Sequence, residues 1–164
     1  MKQKIVGKRL RIVFPEGTDE RVVRAAARLK FEGLVEPIIL GVPEDVHTLL
    51  TDFGFSNPGI TVINPNNYAN FDTMRQEFIT LRKGKVDESQ ADEILRDVNY
   101  FGVMLVQLGL AEGMVSGAIH STADTVRPAL QIIKTKPGVK RTSGVFLMVK
   151  DQHKFVFWRL CYQY

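Results

Sequence analysis

Short apolar runs alternate along this chain with longer stretches whose apolar residues recur at helical spacing. Leu10 to Phe14 is β-branched and closed by Pro15, which predicts a strand opening into Pro-Glu-Gly-Thr-Asp-Glu. Val22, Val23, Ala26 and Leu29 then share one helical face that runs to Gly33, with Thr18 as N-cap and Asp19 and Glu20 in the first turn. Pro37 to Leu40 and Ile60 to Ile63 read as two further strands. Glu44 to Phe53 reads as a helix stopped by Gly54, and Asn70 to Lys83 as one carrying Phe71, Met74, Phe78 and Leu81 on a single face. Asp87 to Leu110 is a long helical region, polar at first and apolar from Phe101. Within it Gly102 marks either a close approach to a neighbour or a break between two helices, and Gly109 is its stop. Strands alternating with helices predict a three-layer α/β/α domain with a mainly parallel sheet.

The stretch from Gly113 to Gly144 is the most informative. Met114 to Ile119 reads as a buried strand, His120 to Thr122 as a polar turn and the next residues as a helix carrying Arg127. Pro128 means that this helix either begins at Arg127 or is kinked there. Free backbone N–H groups and the helix dipole make such a junction an anion-binding arrangement. A basic loop, Lys134 to Arg141, follows. Val145 to Val149 and Phe155 to Phe157 then form a hairpin around Lys150 to Lys154. The expected organisation is a first α/β domain over 1–142 and the opening hairpin of a second over 143–157.

Composition narrows the chemistry. A chain of 164 residues with 45% hydrophobic content can bury a core. Twenty-two basic against 18 acidic residues give a net +4 without a Lys/Arg run, which suits a small anionic ligand better than nucleic acid. The single cysteine, Cys161, leaves no internal disulfide and no cysteine-based zinc cluster, and a cytoplasmic protein is the expectation. No stretch approaches the apolar length of a membrane span.

Arg127 and Arg141 are the residues best suited to an anion, because a guanidinium keeps its charge and offers phosphate a planar fork. A surface ion pair is the alternative for each. Ser121 and Thr122 cap the helix, bind phosphate, or both. His120 is either a general base or a hydrogen-bonded structural histidine, with no Asp or Glu clearly placed to orient it. Asp124 reads as a first-turn acid that complements the dipole. Arg82, Lys83 and Lys85 form a small basic patch at a helix end. Neither the dinucleotide nor the Walker glycine pattern is present.

Gly-Met-Val-Ser-Gly-Ala-Ile-His-Ser-Thr-Ala-Asp-Thr-Val-Arg-Pro-Ala-Leu-Gln-Ile-Ile-Lys-Thr, with Arg-Ile-Val-Phe-Pro-Glu-Gly-Thr-Asp-Glu-Arg near the start, resembles the phosphate acetyltransferases of the acetyl/butyryl transferase family from about Lys8 to Phe157. The resemblance implies transfer of acetyl between coenzyme A (CoA) and phosphate. The partners would be acetyl-CoA, CoA, phosphate and acetyl phosphate, with no metal, no permanently bound cofactor, no nucleic acid and no membrane, and a homo-oligomer is compatible with it. It implies two α/β domains flanking a cleft. It also matches Arg127 and Arg82 to the family's anion-binding arginines, and sets His120, Ser121, Thr122, Ser143 and Gly144 in the cleft wall. Other acyl groups such as butyryl, or a non-catalytic ligand-binding domain of the same fold, are the alternatives.

This chain departs from the family pattern in two ways. The family's chain is about twice as long, and its Ser-Arg pair and the Asp that acts as base toward the thiol fall outside the matched part, so little turnover is expected from this chain alone. Where the family continues Phe-Gly-Asp-Cys-Ala-Ile-Asn, this chain has Phe157-Trp158-Arg159-Leu160-Cys161-Tyr162-Gln163-Tyr164. Inserting one T into TTT GGC GAC TGT GCT ATC AAT gives codons for Phe-Trp-Arg-Leu-Cys-Tyr-Gln. The expectation is therefore that 158–164 is read out of frame.

Overall fold

The computed structural model describes residues 5–55, 59–139, 143–150 and 153–160. Two compact units divide the chain, Met1–Ile133 and Lys134–Tyr164.

In the first unit the order is β1 (Arg11–Phe14), α1 (Glu20–Phe31), β2 (Glu36–Leu40), α2 (Pro43–Asp52), β3 (Thr61–Ile63), a short 3-10 turn, α3 (Phe71–Arg82), α4 (Glu88–Leu95), α5 (Val98–Gln107), β4 (Gly113–Met114) and α6 (Thr122–Ile132). The four strands form one parallel sheet in the order β3-β2-β1-β4. The chain moves outward from β1 to β2 and β3, then returns to the other side of β1 to add β4, so the strand order reverses between β1 and β4.

Successive strand side chains point to opposite faces, and the two cores follow that rule. Val13, Ile38 and Leu40 pack with Met74, Phe78, Leu95, Phe101 and Met104 on one side of the sheet. Phe14 and Ile39 pack with Val23, Ala26, Ala27, Val46 and Leu50 on the other. The expected α/β/α layering with a parallel sheet is what the chain adopts.

Several local expectations are corrected. Asp19, not Thr18, caps α1, accepting from the amides of Arg21 and Val22. The long helical region breaks at Arg96 and Asp97, where Asp97 caps α5 by accepting from the amides of Asn99 and Tyr100. Of the two readings of Gly102, close approach is the one that holds: a Cβ there would stand 2.7 Å from Met114 Sδ and 3.2 Å from Val13 Cγ1. The helix that carries Arg127 begins at Thr122 and keeps Pro128 inside it, so the missing proline N–H leaves the Asp124 carbonyl without its helical donor.

The largest difference is at β4. The expected buried strand from Met114 to Ile119 is two residues long, and Val115 and Ile119 are more than half exposed. Beyond Val115, whose amide donates to the Val13 carbonyl, the backbone turns away from the sheet and its donors go elsewhere, as described below. The start of β4 is fixed by an ion pair between Arg11 and Glu112.

The second unit is an antiparallel hairpin, β5 (Ser143–Lys150) and β6 (His153–Leu160), paired from Ser143↔Leu160 to Lys150↔His153. Both strands are longer than the alternation suggested: Lys150, His153 and Lys154, expected in the turn, are strand residues, and 151–152 lie outside the described residues.

Candidate functional site

The residues singled out between β4 and α6 are organised by one that was not. Glu16 follows β1, is 2% exposed, and turns its carboxylate into the loop after β4. Oε1 accepts from the amides of Ile119 (2.8 Å), His120 (3.1 Å) and Gly117 (3.2 Å), and Oε2 from those of Ala118 (2.9 Å) and Gly117 (3.1 Å). The ring Nδ1 of His120 lies 2.9 Å from Oε1. Burial alone would push this carboxyl up, but the donors from Ile119, Ala118 and His120 outweigh it and hold it down at about 2. The backbone amides between β4 and the Ser121 N-cap are thus filled by the protein's own carboxylate, whereas the anion-binding expectation concerned the first turn of α6.

Gly17 makes the approach possible. Its amide donates to the Leu40 carbonyl at 3.1 Å, and a Cβ on it would fall 2.3 Å from that same oxygen. Only glycine lets the chain cross the end of β2 this closely and still deliver Glu16 to β4.

The acid judged missing beside His120 is thus Glu16, 104 positions away in sequence. Ser121 is the N-cap of α6, its hydroxyl accepting from the Asp124 amide at 3.2 Å and donating to the Asp124 carboxylate at 2.6 Å. Asp124 does more than complement the dipole: the Ser121 hydroxyl, and to a lesser degree the charge of Arg127, lower its carboxyl. Thr122 is the first residue of the helix and is exposed.

Arg127 is exposed on α6, and Arg82 is half-buried in the last turn of α3. Both guanidinium charges act on Tyr100 of α5, whose phenol burial pushes up while the two arginines oppose that push. The Tyr100 hydroxyl donates to Gln131 Oε1 at 2.9 Å. Arg82 Nε is buried without a hydrogen-bond partner, an arrangement that folded proteins seldom leave uncompensated. The expected pair of anion-binding arginines is therefore brought to one cluster, formed by α3, α5 and α6.

Phe14, Glu16, Val22, Val115, Ser116 and Ala118 line much of a depression of about 280 Å³. Ser116 donates to Asn99 Oδ1 at 2.6 Å; Asn99 is fully buried and its Nδ2 has no partner. Ser143 and Gly144 begin β5 in the second unit, and Arg141 lies outside the described residues. Among the described residues no three His, Cys, Asp or Glu side chains are grouped to hold a metal ion, and no helix is long and apolar enough to cross a membrane.

Residues 1–158 match the family model described as phosphate acetyl/butaryl transferase. The chain belongs to that family. It is 47% identical over 157 residues to phosphate acetyltransferase of Bacillus subtilis (strain 168), covering 96% of this chain and 49% of that protein. It is 51% identical to phosphate acetyltransferase of Staphylococcus aureus (strain MRSA252), covering 96% and 48%. Among solved structures, a phosphotransacetylase from Streptococcus pyogenes superposes with a TM-score of 0.89 at 68% identity, over 94% of this chain and 48% of that one. The chain thus spans about half the length of the phosphate acetyl/butaryl transferases that it matches.

Proposed function

We propose that the chain takes part in the interconversion of acetyl-CoA and phosphate with acetyl phosphate and CoA, and that Arg82 and Arg127 hold the anionic parts of these ligands. One observation carries the reading: a buried, unpartnered Arg82 Nε and an exposed Arg127 guanidinium act on one phenol, in a chain whose relatives are named phosphate acetyltransferase. Ser121 and Thr122, at the start of α6, belong to the same proposed ligand wall.

Toward acetyl-CoA, the CoA thiolate attacks the carbonyl carbon of acetyl phosphate. A C–S bond forms, the C–O bond to phosphorus-bound oxygen breaks, and phosphate leaves with the electron pair. The thiol proton passes to a base, because the thiolate is the nucleophile. In reverse, a phosphate oxygen attacks acetyl-CoA and the thiolate leaves. Negative charge is carried by phosphate throughout and builds on the carbonyl oxygen, so fixed guanidinium donors stabilise the ligands and the transition state together.

Calorimetric titration of CoA into the chain, and into its Arg127→Ala and Arg82→Ala variants, tests the reading. Loss of a charge-assisted contact predicts affinity about 10- to 100-fold weaker in each. Unchanged CoA affinity in both variants, or no CoA binding by the parent chain, overturns it. We expect binding with little CoA-dependent conversion of acetyl phosphate to acetyl-CoA by the 164-residue chain, because the resemblance assigns the thiol's base to sequence outside the matched part. Normal turnover would remove that expectation.

A further inference from the structure

We propose that Glu16 is a positioning residue of this site. Its carboxylate fills the backbone nest at residues 117–120, holds His120 with Nδ1–H inward and Nε2 outward, and leaves ligand anions to the arginines. The proposal deepens the reading of Arg82 and Arg127 as the ligand-anion site and rests on it.

Donor and acceptor accounting fixes the histidine. An ionised carboxylate only accepts hydrogen bonds, and the partners of the Glu16 carboxylate are the amides of Gly117, Ala118, Ile119 and His120, all donors, together with His120 Nδ1. Nδ1 must then carry a hydrogen, and in the neutral ring the lone pair belongs to Nε2. With Nδ1 against Glu16, Nε2 lies on the edge of the ring away from the carboxylate, in a side chain that stays a quarter exposed.

Position supplies the second argument. Ligands of open α/β sheets gather at the carboxyl ends of the strands where the strand order reverses, here between β1 and β4. Glu16 leaves β1 and residues 117–120 leave β4, so the carboxylate closes this crevice. Successive backbone N–H groups form a concavity that attracts anions, and a ligand phosphate entering here would meet a carboxylate already in place. Arg21 is a cation that senses this carboxylate: it pairs with Asp19, donates to the Ala118 carbonyl at 3.3 Å and feels the charge of Glu16. It is committed to the loop, which leaves Arg82 and Arg127 for the ligand.

The test is nitrogen NMR of the chain labelled at histidine, with the exposed His47 and His153 as internal references and His120 assigned from His120→Asn. In the parent chain neutral His120 is expected as the Nδ1–H tautomer, and in Glu16→Ala it should shift toward the Nε2–H form. In a second arm, inorganic phosphate or formate is titrated while the amides of Gly117 to His120 are followed. They should shift saturably in Glu16→Ala and stay still in the parent chain.

An Nε2–H tautomer in the parent chain overturns the proposal, and so does an equal amide response in both proteins. The tautomer measurement needs no variant at position 16, so a Glu16→Ala chain that fails to fold does not spare the idea. Loss of the arginine reading would appear separately, as CoA affinity indifferent to Arg127→Ala with the tautomer unchanged.

Discussion

Acid should loosen the first unit chiefly through Glu16. Its carboxyl stands at about 2 in the folded protein against an ordinary 4.5, a difference corresponding to about 3 kcal/mol of folded-state preference for the charged form. The folded value is depressed, so this stability is fully present above about pH 4.5 and is lost as the pH falls through about 2. Asp19, Glu112 and Asp124 are also held below their ordinary values and add their own acid sensitivity, so a variant must isolate Glu16. Glu16→Gln is suitable, because an amide resembles the protonated acid: one acceptor oxygen, and one donor group turned toward donors.

Urea unfolding is then followed by far-ultraviolet ellipticity from about pH 6 to about pH 2.5; among the described residues the six α-helices belong to the first unit, so the signal reports on it. The parent chain should exceed Glu16→Gln by about 3 kcal/mol near pH 6, and the gap should close as the pH approaches 2. Parallel pH profiles for the two proteins would refute the reasoning.

Two further outcomes are expected. Gly17→Ala puts a Cβ against a backbone oxygen that no rotamer change can move, and should cost about 2–4 kcal/mol by urea unfolding. Gly102→Ala meets Met114 Sδ first, a flexible neighbour, and gains helix propensity of about 0.5–1 kcal/mol, so it should cost less than half as much; equal costs would contradict this. The hairpin exposes Val145, Leu147, Val149 and Val156 together with Met148, Phe155 and Phe157, and a lone two-stranded hairpin is marginal in water. Light scattering should detect concentration-dependent self-association, against which a monodisperse monomer would count.

What could be read from the sequence was what local periodicity encodes. Val22, Val23, Ala26 and Leu29 mark one face of α1, and the short β-branched runs place β1 to β3 within a residue or two of their observed ends. The break between α4 and α5 was legible in principle, since Asp97 stands directly before an apolar run as an N-cap should, but Gly102 carries an equally strong local break signal inside that run. Arg127 stood out by its place after a strand-to-helix junction and Arg82 through the family motif, while their convergence on Tyr100 depends on three helices meeting, which no local pattern encodes. Glu16 could not be read at all. Its partners lie 101–104 positions away, and a run such as Met114 to Ile119 looks like a strand until a carboxylate takes its amides.

The span of those contacts also bears on the order in which the chain assembles. β1, α1, β2, α2 and β3 can pair through short crossovers, whereas β4 offers only Gly113 and Met114 to the sheet and waits on closure of a loop of about a hundred residues. Such closure is entropically expensive and comes late. A clasp formed after the folding barrier has little influence on how fast the chain folds and much on how long it stays folded. Glu16, besides shaping the site, is thus a determinant of the lifetime of the native state.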